Sequence, residues 1–155
     1  MKKWVVIVVL LISILLVGCS EKDDERLHVM AFSDEIYEKQ QQLSKWIDSE
    51  DVRVTVFPTI LERLIVELAG HQAHILIVHE SITEPMDPEG LVPLEDFKAE
   101  PYVLRDESFV AGLALKEILS GIVELESEHL LAVPVYHERS KEAIAFIKEG
   151  LEEVE

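Results

Sequence analysis

The chain has 155 residues, 31 of them acidic and 14 basic, for a formal net charge of −17 with the histidines neutral. So acidic a surface repels phosphate backbones and anionic headgroups, which excludes nucleic acid as a partner. Thiol chemistry rests on one residue, Cys19.

Lys2 and Lys3 form a positive start, and Trp4 to Val17 is apolar apart from Ser13. A membrane span needs roughly 20 apolar residues, so this run has the length of a signal-peptide core instead. It ends in Leu16-Val17-Gly18-Cys19, which resembles the lipobox of bacterial lipoproteins. That resemblance implies a signal peptide over 1–18, cleavage after Gly18, and diacylglycerol on Cys19. The mature chain is then held on the extracytoplasmic face of the cell membrane, with Ser20 leaving the type of envelope open. With Cys19 acylated no thiol is left, which excludes disulfides, thiol catalysis and cysteine metal sites. Removing 1–18 leaves 137 residues with 12 basic against 31 acidic, enough for one domain. Residues 19–26 form a lipidated acidic tether, and 27–155 a single α/β domain.

Leu27–Phe32 is a short apolar run, and Ser33 caps the helix expected after it, with Ile36, Leu43 and Ile47 facing a sheet. Val52–Phe57 alternates, so one of its faces is wet and it belongs at an edge. After Pro58, Thr59 and Glu62 make a capping box for a helix with Leu61, Leu64, Ile65 and Leu68 buried, stopping at Gly70. Ile75–Val78 is apolar without alternation and belongs near the centre. A Pro-rich loop over 84–90 leads to an expected helix over 106–120. Leu130–Tyr136 is a last strand, placed at an edge by Pro134, and Ser140 caps a helix with Ala143, Ile144, Ile147 and Leu151 on one face. Right-handed crossovers place the third strand beside the first. The expected fold is therefore a three-layer α/β sandwich around a mostly parallel sheet of about four to five strands, in the order 2-1-3-n.

Leu27–Phe32, Val52–Phe57, Ile75–Val78, Gly90-Leu-Val-Pro-Leu-Glu-Asp-Phe97, Ala132-Val-Pro-Val135 and Ser140–Ile147 follow one another in an order and spacing that resembles the extracytoplasmic solute-binding proteins of ABC importers. The resemblance implies a periplasmic-binding-protein type II fold reduced to one lobe. Residues 98–128 are too few for the second lobe that grips ligand in the family. It also implies an antiparallel last strand, which puts His129 on the same rim as the ends of the first three strands, with His28, Tyr136 and His137 opposite.

Ligands in such sheets collect beyond the strand carboxyl ends. Ser33, Asp34, Thr59, His79, Glu80 and Ser81 are the ligand-binding candidates there, beside Pro58. No metal site is expected, because His71-Gln-Ala-His74 straddles a helix end and the histidines divide between two rims. No cofactor is expected either. No Gly-x-Ser-x-Gly elbow, phosphate loop or His-Glu-x-x-His is present, so the chain is read as non-enzymatic. Two functions are consistent with these residues. One is a solute-binding-like accessory of membrane transport, presenting a small solute or docking on a transporter through a concave rim where Asp34, Thr59, His79 and Glu80 converge. The other is an envelope lipoprotein of structural or regulatory role, acting through protein contacts, with those residues used as caps and an apolar patch exposed on the 109–119 segment.

Overall fold

The computed structural model describes residues 24–47, 49–104 and 110–152. The segments read as signal peptide (1–18) and lipobox (Leu16–Cys19), and Phe109, lie outside them. The chain runs β1 (Leu27–Phe32), α1 (Asp34–Glu38), α2 (Gln40–Trp46), β2 (Val52–Phe57), α3 (Leu61–Gly70), β3 (Ile75–His79), β4 (Pro101–Val103), β5 (Val110–Ala114), α4 (Leu115–Ile118), β6 (His129–Ala132) and α5 (Ser140–Glu152). Short 3-10 turns follow β3 at Glu80–Ile82 and sit at Pro88–Gly90.

The strands form one six-stranded sheet in the order β2-β1-β3-β6-β5-β4. β1 pairs in parallel with β2 and β3, and the remaining three pairings are antiparallel. The expected order 2-1-3-n is present, with β6 as its fourth member. The expectation of a mostly parallel sheet of four or five strands is corrected to a mixed sheet of six. Of the two added strands, β4 lies ahead of the segment read as a helix over 106–120, and β5 lies within it. Val110–Ala114 is extended, and only Leu115–Ile118 is helical. Gly112 marks the closest approach of β5 to β6. A Cβ there would sit 2.2 Å from Leu130 Cδ1 and 2.5 Å from the Leu131 carbonyl oxygen, so β5 presses against β6 where a side chain has no room.

Alternation along β1 and β3 sends side chains to two cores, one on each face. Leu27, Val29, Ala31, Ile75 and Ile77 meet Ile36 and Leu43 of α1 and α2 and Ala143 and Ile147 of α5. Met30, Phe32, Leu76 and Val78 meet Leu64 of α3 together with Ile82, Met86 and Leu91 from the loops. β2, with its half-polar face, is the edge strand, as its alternation predicts. The last strand is a second correction. It stops at Ala132, before Pro134, and so lies inside the sheet between β3 and β5. Pro134 makes only an isolated bridge with Leu91, while Val92 N–H donates to the Val133 carbonyl at 2.7 Å.

Helix ends depart from the sequence reading in four places, one of them α5, in which Ser140 is the first residue rather than the cap. The first helix breaks at Lys39, where φ −106° and ψ 16° end α1, and α2 restarts beyond it. α3 begins at Leu61 behind Ile60, without a side-chain cap, because the Thr59 hydroxyl is used elsewhere. It ends at Gly70, but the left-handed residue is His71, at φ 51°. Ile65, read as buried, is half exposed on α3.

The close approach at Gly112 predicts that Gly112→Ala destabilises the domain by about 1–3 kcal/mol through overpacking. A urea unfolding curve would read this as a lower midpoint at unchanged slope.

Candidate functional site

The ends of β1, β2 and β3 place all six rim candidates together, and the segment 124–128 arrives over them from the far half of the sheet. Ser33 has β-region backbone, and its Oγ accepts the Ile36 N–H at 3.3 Å, capping α1 as its residue type predicts. The same oxygen lies 2.7 Å from His129 Nε2. His129 Nδ1 lies 3.0 Å from the Ser127 carbonyl, which can only accept, so Nδ1 carries the proton and Nε2 accepts the Ser33 hydroxyl proton. Both side chains are fully buried. Burial, with His79 second, pushes the His129 imidazole below its ordinary range and keeps it neutral. The pair is thus a completed hydrogen-bond chain tying β1 to β6. A nucleophile must also be reached by substrate, and neither side chain of this pair is open to solvent.

The other rim candidates are joined to one another or to the same segment. Asp34 and Thr59 exchange bonds: Asp34 N–H donates to Thr59 Oγ1 at 2.9 Å, and Thr59 N–H to Asp34 Oδ1 at 3.2 Å. The Ser81 N–H donates to His79 Nδ1 at 3.1 Å, with the Ser81 hydroxyl 2.8 Å from the same atom. That leaves the proton on Nε2, which faces Glu35 Oε1 at 3.9 Å. Glu80 and Glu128 are linked twice, N–H to carbonyl at 3.0 Å and Glu128 N–H to Glu80 Oε1 at 3.3 Å.

Glu35 organises this rim and was read from sequence only as a first-turn acid. Its carboxylate accepts the N–H of Glu126 at 2.7 Å and of Ser127 at 3.1 Å. Burial alone would raise its pKa, but those backbone donors outweigh it and hold the carboxyl below the ordinary range. Lys39 and Lys116 add bonds to the carbonyls of Glu124 and Glu126. No local pattern marks the partners of Glu35 and Lys39, which lie 85 to 92 positions away.

The opposite rim holds a polar groove of about 760 Å³. His28, at the start of β1, is buried. Arg53 Nη2 donates to His28 Nδ1 at 2.7 Å, so the ring proton sits on Nε2, 2.8 Å from Thr55 Oγ1. The His28 N–H in turn donates to His74 Nδ1 at 2.8 Å. His74 lies over His137 at 4.1 Å, and His71 over Tyr136 at 4.3 Å. Desolvation first, then neighbouring charge, lowers both His28 and His74 to about 4. As the resemblance implied, the histidines divide between two rims. Among the described residues no group of three or more His, Cys, Asp or Glu could hold a metal ion. A second cavity, about 490 Å³, lies between the sheet, α2 and α5, walled by Val29, Ile77, Trp46 and Phe146 among others.

The apolar patch expected on the 109–119 segment is not found on its described part, since Leu115, Ile118 and Leu119 are buried. The large apolar side chains exposed near α3 are Ile60, Ile65 and Val66.

Two outcomes follow. Glu35→Ala leaves two backbone N–H groups without their acceptor and costs about 1–3 kcal/mol, whereas Glu35→Gln, which keeps an oxygen, costs less. Both are read by chemical denaturation. Because His28 and His74 titrate lower folded than unfolded, stability is full above pH 6.5, the ordinary value, and falls as pH drops toward about 4. The unfolded chain binds protons there that the folded rings refuse. His74→Asn keeps an acceptor without the titration and flattens the fall in urea midpoint between pH 7.5 and 5, by about the share of one of the two rings.

Among the described residues no helix is long and apolar enough to cross a membrane. No protein-family model matches the chain, and no solved structure matches it significantly. The chain is similar to the protein named "Putative lipoprotein YteS" of Bacillus subtilis (strain 168), at 28% identity over 146 residues, covering 86% of this chain and 87% of that protein. That similarity supports reading the chain as a lipoprotein.

Proposed function

We propose that the chain is a lipoprotein anchored through diacylglycerol on Cys19, and that its domain works on the extracytoplasmic face as a non-enzymatic accessory of membrane transport, a one-lobe relative of the solute-binding proteins. The observation that carries the anchor is the Leu16–Cys19 motif in a chain similar to a lipoprotein along most of its length. The transport reading is supported by the antiparallel direction of β6 beside β3, which the resemblance implies. The non-enzymatic reading is supported by the burial of the Ser33–His129 pair, whose hydroxyl caps α1 and is closed to solvent.

The second reading, contact with another envelope protein and no solute at the rim, is favoured by a specific observation. Asp34, Thr59, His79, Glu80 and Ser81 all spend polar atoms on one another or on the 124–128 segment. A solute at that rim would have to displace those bonds.

Lipidation is tested by growing cells with labelled palmitate and taking the mass of the chain. Label and diacylglyceryl mass on Cys19, both lost in Cys19→Ala with retention of the precursor, are the expected result. A wild-type chain without lipid would overturn the anchor.

A further inference from the structure

The groove opposite the rim stands out against the charge of the whole molecule. On a chain of −17, three of the five arginines and four of the six histidines line it. Arg26, Arg53 and Arg139 face only Asp24 and Glu25 among its carboxylates.

One anion is already seated there. Arg26 Nε and Nη2 donate to the two oxygens of Asp24 at 2.7 Å each, a two-point fork, and Arg53 Nη1 stands 3.5 Å from Asp24 Oδ2. Asp24 and Arg26 both belong to the 19–26 segment, two positions apart, and that segment meets the domain through Arg53 at Asp24 Oδ2 and Arg139 at the Glu25 carbonyl. Arg139 Nη1 holds the Glu25 carbonyl at 2.5 Å.

The donors around this carboxylate are not used up. Arg53 Nε and His137 Nε2 are shut off from solvent without a hydrogen-bond partner. His74, whose Nδ1 is occupied by the His28 N–H, carries its proton on Nε2. Arg53 is held in place by His28 at 2.7 Å, and Arg139 by Glu142 at 2.9 and 2.7 Å, so the guanidiniums are set before any ligand arrives. Buried donors without acceptors are costly in a finished structure.

We propose that this groove binds small organic carboxylates, and that Asp24 is a built-in occupant which such a ligand displaces. The fork on Asp24 is carboxylate geometry, two oxygens of one planar group met by Nε and Nη2 of one guanidinium. The inference rests on the reading of the domain as a binding module and is independent of lipid on Cys19.

The test is calorimetric titration of the full chain in phosphatidylcholine vesicles with succinate and citrate, and with inorganic phosphate as the comparison. Asp24→Asn removes the competing anion and leaves the guanidiniums, so it tightens succinate or citrate binding by about two- to five-fold, the worth of one exposed ion pair. Arg53→Gln weakens binding by about ten-fold or more, as loss of a charged hydrogen bond does. Arg139→Gln, with folding checked by circular dichroism, is the second variant should Arg53→Gln fail to fold, and it too weakens binding. No carboxylate binding to either the wild type or Asp24→Asn overturns the proposal, as does unchanged affinity in Asp24→Asn. Phosphate binding ten-fold tighter than succinate and citrate overturns the ligand class. None of these results touches the lipidation measured on Cys19, so the two readings fail separately.

Discussion

β1 has water on neither face. All six residues from Leu27 to Phe32 are buried, because parallel neighbours cover both edges of the strand and helices or loops cover both faces. A strand so placed can take polar groups inside only if each finds a partner. The buried polar residues are few: His28 in the strand, Ser33 just past its end, and His129 across the sheet. Each is fully tied. His28 links to Arg53, Thr55 and, through its backbone, His74. Ser33 links to Ile36 and His129. The two rims of the domain are built outward from those ties.

That origin gives the rims different characters. At the carboxyl end the bonds close on themselves. Glu35, Lys39, Lys116 and Glu80 all grip the 124–128 segment, so the parallel half and the antiparallel half of the sheet are locked together by backbone partners rather than by apolar contact alone. At the opposite end the network begins at His28 and runs out through arginines that remain partly open. Neutral imidazoles suit that setting, since burial beside guanidinium groups makes a second positive charge expensive.

The acidity of the chain has a structural side as well. Several carboxylates at the first rim act as acceptors for backbone N–H groups, a role in which ionised oxygen is the stronger partner. Glu35 and Glu128 each accept two such bonds. Three of the five arginines are gathered where Asp24 and Glu25 meet the domain, against the sign of the chain as a whole.

What the sequence determined by itself was local or periodic. The Ser33 cap, the edge placement of alternating β2, the central placement of apolar β3 and the inner face of α5 each depend on a few adjacent residues, and each is legible from them. The tertiary structure alone decided what depends on a distant partner. Val110–Ala114 is as apolar as a buried helix, and its pairing with β4 and β6 is what makes it a strand. Pro134 marks an edge when read in isolation, yet β6 ends before it and lies inside the sheet. Thr59 has the spacing of a capping box and instead serves Asp34, which comes 25 positions earlier. Placing Ser33, His79 and Glu80 on one rim needed only strand direction. Finding that Glu35 and His129 close it needed coordinates, because hydrogen bonds between residues ninety positions apart leave no periodic trace in the chain.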